Sequence, residues 1–163
     1  MCIMTFVVIF ITMNSCTADT AEGTQDSSTT TETIVTTYNY NDAEIETMKL
    51  INDYRVSIGL NALERINHIS YKCQGHNKYM IANNAVDHND FVARSENIMQ
   101  VLGAKKVGEN VAYNYKTSQA VVQGWLESAG HKENIEGDYT HFGLAVTTDA
   151  AGRKYYTNIF AKI

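Results

Sequence analysis

After residue 41 the apolar residues of this chain recur first with a helical period and later with a strand period, and that order limits the folds open to it. Asn41 is placed to cap a helix and Glu44 stands at the capping-box position; Ile45, Met48, Ile51, Tyr54 and Ile58 follow on one side, and Gly59 is the stop. A second helix is predicted from Asn67 to about Asn84, striped by Ile69, Cys73, His76, Tyr79, Met80 and Asn83. Gly75 in its middle weakens it by about 1 kcal/mol relative to Ala. A third helix fits Phe91 to Leu102 and ends at Gly103. Lys106 to Tyr113 then alternates through Val107, Glu109, Val111 and Tyr113 as a strand, and Thr117 or Ser118 opens a helix through Ser128. Phe142–Thr148 and Lys154–Lys162 alternate around Asp149-Ala150-Ala151-Gly152, which reads as a hairpin. An antiparallel sheet with helices on both faces would bury these patterns, which makes the fold class α+β.

Composition removes several alternatives. The chain has 163 residues, a length that favours one core, and a net charge of −5, which argues against a nucleic-acid partner. It contains no apolar run of about 18 residues or more, the length a spanning helix needs. Three cysteines are too few for a disulfide scaffold. Proline is absent, so turns must rely on Gly, Asn and Asp.

The chain divides into a head, a tether and a domain. In the head, residues 1–16, the eleven-residue apolar run from Ile3 to Met13 is too short to span a bilayer and fits the core of a signal peptide. The run leads into Asn14-Ser15-Cys16, which resembles a bacterial lipoprotein signal with Cys16 as the lipidated residue. A buried N-terminal strand with an incidental cysteine is the alternative, but the Ser/Thr tract directly after Cys16 favours the lipoprotein. That reading anchors the protein to a membrane and places it in the cell envelope or outside the cell. Residues 17–40 are Thr-rich, with four acids and no base, and are expected to form a flexible linker. Residues 41–163 form the domain, nearly neutral and holding all five histidines.

Four segments of the domain stand out: Asn52-Asp53-Tyr54-Arg55 with Gly59 to Leu63; Asp87-His88-Asn89; Gly108-Glu109-Asn110-Val111-Ala112-Tyr113; and Trp125 through Ile135, continuing to Tyr139-Thr140-His141-Phe142-Gly143. In this order and at these gaps they resemble the CAP superfamily (cysteine-rich secretory proteins, antigen 5 and pathogenesis-related proteins), and most closely its bacterial SCP-like extracellular type. The resemblance covers about residues 44–163. It implies a three-layer α-β-α sandwich with a central antiparallel sheet and a cleft where many members carry two His and two Glu able to bind a divalent metal. Carried over, the first His is His88 and the first Glu is Glu109. The second Glu falls at Ser128, and the bacterial second His is His131. The set is reduced to His88, Glu109 and His131, with Ser128 in place of a carboxylate.

Each of these residues also has a plainer reading. His88 could cap a helix exit or lie on the surface. Glu109, inside an apolar alternation, needs a partner if buried, such as backbone amides or the Trp125 indole. His131 follows the expected helix end at Ala129-Gly130, where a cation meets the C-terminal dipole. His141 either lines the cleft edge or starts its strand. Trp125 and Cys73 are expected in the core, as are Tyr113, Tyr115, Tyr155 and Tyr156, which otherwise could form a sugar-binding platform.

His88, Glu109 and His131 could supply a His₂Glu zinc set, but no spacing fixes two of them on one helix. No phosphate loop, nucleophile elbow or Cys-His protease signature is present. The expected function is therefore a binding module for an extracellular lipid, glycan or peptide, requiring no cofactor, with zinc as an optional ligand. A metal-dependent hydrolase of envelope or environmental polymers is the alternative, which the missing carboxylate at Ser128 disfavours.

Overall fold

A computed structural model describes residues 33–163; the apolar head, Cys16 and most of the tether lie outside the described residues. The elements are α1 (Asp42–Ser57), β1 (Glu64–Arg65), α2 (Asn67–Asn83), α3 (Phe91–Leu102), β2 (Lys106–Tyr113), α4 (Ser118–Glu127), α5 (Ala129–Glu136), β3 (His141–Thr148) and β4 (Lys154–Lys162). The sheet order is β1-β3-β4-β2. β4 pairs antiparallel with both β3 and β2, and the two-residue β1 joins β3 in parallel. The expected α+β sandwich is the fold observed.

Strand alternation sorts the core into two layers. Phe142, Leu144, Val146, Tyr156 and Phe160 face α1, α4 and α5, where they pack with Met48, Ile51, Val121 and Trp125. Ala145, Ile159 and Ala161 face the other way, onto Ile69 and Cys73 of α2 and Ile98 of α3. Trp125 is 2% exposed and Cys73 is fully buried, both as expected. Gly143 lets α2 lie directly on β3, since a Cβ there would sit 2.4 Å from the Ser70 amide nitrogen.

Local rules account for most boundaries. Asn41 and Glu44 form the capping box that opens α1. Thr117 accepts from the Ala120 amide at the start of α4, and Gly103 closes α3 at φ 71°. The core face of α1 differs from the expected stripe: Ile45 and Ile58 are 48% and 45% exposed, while Glu44 and Arg55 are buried. Both charged groups are matched by the backbone. Glu44 Oε1 accepts from the Val146 amide at 2.9 Å. Arg55 donates through Nη1 to the carbonyls of Ile135 and Gly137 and through Nε to that of Asn61.

The end of the tether is joined to the domain. The Val35 amide donates to His68 Nδ1, Asn67 donates to the Thr36 carbonyl, and the Tyr38 hydroxyl donates to Glu44. The Arg65 guanidinium lies 4.3 Å over the Tyr40 ring. Among the described residues no helix is long and apolar enough to cross a membrane.

Candidate binding cleft at the edge of the sheet

β2 is an edge strand, and both the Gly108–Tyr113 and Trp125–Ile135 motifs converge on it. Two of its free-edge carbonyls are satisfied by side chains: Trp125 Nε1 donates to the Val111 carbonyl at 3.1 Å, and Asn134 Nδ2 donates to that of Glu109 at 3.1 Å. Asn134 also donates to Asn110 Oδ1, and Asn110 Nδ2 donates to the His131 carbonyl at 2.9 Å. Gly108 is required here, because a Cβ would lie 2.5 Å from the Tyr139 hydroxyl. Trp125, Asn110 and Asn134 therefore hold α4 and α5 on the strand. The Asn52–Arg55 motif is likewise structural, since Asn52 exchanges two hydrogen bonds with the Leu63 backbone.

Glu109 projects from the opposite face of β2, toward α3. Its side chain is 1% exposed, and its charge is matched by Arg94, 11% exposed. Arg94 Nε donates to Oε2 at 3.0 Å and Nη2 to Oε1 at 2.9 Å, a bidentate pair. His88 Nδ1 donates to Oε1 at 2.8 Å, with its own side chain about half exposed. His88 thus reaches Glu109 from the loop before α3. His76 secures that loop by donating from Nε2 to the Asp87 carbonyl at 2.8 Å. The expected partners of Glu109 were backbone amides or the Trp125 indole; the indole serves Val111 instead, and Arg94, which the motifs did not single out, takes the carboxylate.

His131 belongs to the first turn of α5, not to a helix end, because the chain turns at Ser128 and continues helical. The C-terminal dipole expected to favour its cation is therefore absent. Burial, with His88 as a second cause, holds the His131 imidazole below its usual pKa. Its Nδ1 is buried without a partner among the described residues. Ser128 is the hinge between α4 and α5, its carbonyl accepting from the Lys132 amide at 2.8 Å. His141 starts β3, beside Thr140 and 3.7 Å from Glu64. Tyr155 and Tyr156 are buried in the core, and Tyr113 and Tyr115 pack against it.

The residues do not fit the metal that the resemblance suggested. Both oxygens of Glu109 are engaged by a guanidinium, which would oppose a second cation at the same carboxylate. Among the described residues no three His, Cys, Asp or Glu side chains are grouped to hold a metal ion. The arrangement is polar: a half-exposed imidazole on an internally neutralised carboxylate, with a second imidazole across the strand edge.

The model of the Cysteine-rich secretory protein family, CAP, matches residues 48–160, and the chain belongs to this family. It is 35% identical over 124 residues to the uncharacterized membrane protein YlbC of Bacillus subtilis, covering 74% of this chain and 34% of that protein. It is 31% identical over 105 residues to the uncharacterized protein YkwD of the same organism, covering 62% and 41% respectively. The chain thus spans well under half the length of these relatives. Among solved structures, an outer surface protein of Borrelia burgdorferi superposes with a TM-score of 0.66 at 19% identity, over 76% of this chain and 97% of that one. An extracellular SCP-domain protein of Bacillus anthracis gives 0.64 at 27% identity, over 74% and 40%.

Proposed function

We propose that this CAP domain is a metal-independent binding module displayed on the outer side of the cell envelope, with the His88–Arg94–Glu109–His131 cleft as its polar recognition surface. The observation that carries this reading is the bidentate hold of Arg94 on Glu109. A carboxylate held this way serves poorly as a general base, since its lone pairs toward the cleft are already accepting charged hydrogen bonds. The location draws on the similar proteins, described as a membrane protein, an outer surface protein and an extracellular protein. Lipidation of Cys16 would supply the anchor.

Zinc calorimetry tests the proposal. Titration of zinc into the full chain at pH 7.5 is expected to give no saturable heat that His88→Ala or His131→Ala removes. Saturable binding abolished by both variants would restore the metal centre and, with it, the hydrolase reading.

A further inference from the structure

Gly75 lies in the middle of α2, where glycine is the least favourable residue after proline. Neither backbone nor packing asks for it: its φ is not positive, and a Cβ there would meet nothing within 4 Å. What the missing side chain leaves is space. A cavity of about 340 Å³ opens over Gly75, walled by Tyr71, His76 and Tyr79 of α2 and by Asn89, Asp90 and Arg94 from the following loop and α3. Tyr71, Gly75 and Tyr79 are spaced four residues apart, so they share one ridge, with the two tyrosines about 12 Å apart along the axis and the glycine notch between them. Tyr71 is 48% exposed. The Tyr79 ring is held by stacking on His76, with centroids 5.8 Å apart and planes 10° apart.

His76 is a fixed part of the wall. It is 2% exposed, and because a carbonyl can only accept, its bond to Asp87 puts the proton on Nε2. Burial holds the ring neutral, which leaves Nδ1 as a buried acceptor, and that atom has no partner among the described residues. That atom is closed to solvent, so His76 contributes to the wall as a fixed ring and not as an acceptor. The walls combine aromatic surface with the Asn89 amide and both signs of charge. Such a lining suits the apolar face and hydroxyl edge of a sugar ring. It suits a hydrocarbon chain poorly, since that would cover the Asn89 amide and the Asp90 and Arg94 charges without pairing them.

We propose that the notch at Gly75, between Tyr71 and Tyr79, is a saccharide-binding site, sized for one or two sugar rings. This rests on the reading of the domain as a binding module and gives it a ligand class. Arg94 lines this cavity and also holds Glu109, so the notch adjoins the cleft and a longer glycan could run from one to the other.

The test is an amide NMR titration of the full chain with cellobiose and with N,N′-diacetylchitobiose. Saturable shifts are expected at Gly75, His76 and Tyr79 with at least one of the two. Gly75→Leu fills the notch and should abolish the shifts while leaving the melting temperature equal or higher, because it removes a helix-interior glycine. Tyr71→Ala should weaken binding about fivefold, the loss of one aromatic contact of about 1 kcal/mol. The absence of shifts with both disaccharides would overturn the proposal, as would shifts unchanged in Gly75→Leu. Shifts confined to His88 and His131, and persisting in Gly75→Leu, would also overturn it while leaving the cleft reading in place.

Discussion

Arg94 and Glu109 meet through two hydrogen bonds at the edge of the sheet, Nε to Oε2 at 3.0 Å and Nη2 to Oε1 at 2.9 Å. The pair also holds α3 in place, because Ile98 is the one fully buried side chain of that helix. Together with the 2.9 Å bond between His68 and Asn97, this charge contact and the Ile98 anchor hold the helix that carries Arg94.

Removing the guanidinium should cost more than removing an ordinary surface charge. Arg94→Ala leaves a buried carboxylate without its cation, and a loss of about 3–5 kcal/mol is expected from denaturant unfolding. A double variant, Arg94→Leu with Glu109→Leu, should recover much of that loss, because no charge then remains buried. A loss below about 1 kcal/mol in Arg94→Ala would match an exposed pair instead.

Trp125 fills the core and closes a carbonyl. Trp125→Ala should destabilise the domain by about 3–5 kcal/mol through the cavity it leaves. Trp125→Phe keeps most of the volume but strips Val111 of its donor, with an expected cost of about 1–3 kcal/mol. Chemical denaturation of the two variants separates packing from the hydrogen bond.

The buried imidazole of His76 and the half-buried one of His131 make stability depend on pH. The pKa values of His76 and His131 are lowered, mainly by burial, with the Arg94 charge adding to this at His76 and His88 at His131. Well above pH 6.5 both rings are neutral whether the chain is folded or not, so neither contributes a pH dependence there. Below that the unfolded chain takes up protons that the folded chain resists, and stability falls as pH drops. Melting temperature should decrease from pH 7.5 to 5.5, and by less in His131→Gln. An identical decrease in that variant would remove His131 as a source.

The anchor is tested by fractionation. Cys16→Ser should move the protein from the membrane to the soluble fraction, since acyl chains on that cysteine would be the attachment. Unchanged membrane association would mean that Cys16 is not the anchoring residue.

Much of the fold was legible because its signals are local. The capping box at Asn41 and Glu44, the stop at Gly103 and the β3–β4 alternation are each contained within a few residues. β1 has two residues, and α5 buries Ile135 alone, too little to produce a period. The site was harder to read. His88 and Glu109 were found through motif resemblance and do touch. Arg94 was missed because one arginine on an amphipathic helix looks like a surface residue until the fold brings a carboxylate to it. Ala129-Gly130 resembles a stop and so suggests a helix end before His131, although Gly130 sits inside α5 without strain.

The covered edge of β2 has a consequence beyond the domain itself. An open strand edge is a template on which another copy can pair, and paired copies grow into fibrils. With Trp125 on the Val111 carbonyl and Asn134 on that of Glu109, this edge offers an incoming strand few free acceptors. The contacts that seat α4 and α5 on the sheet therefore also act as stoppers, so many copies can stand side by side without polymerising along this edge.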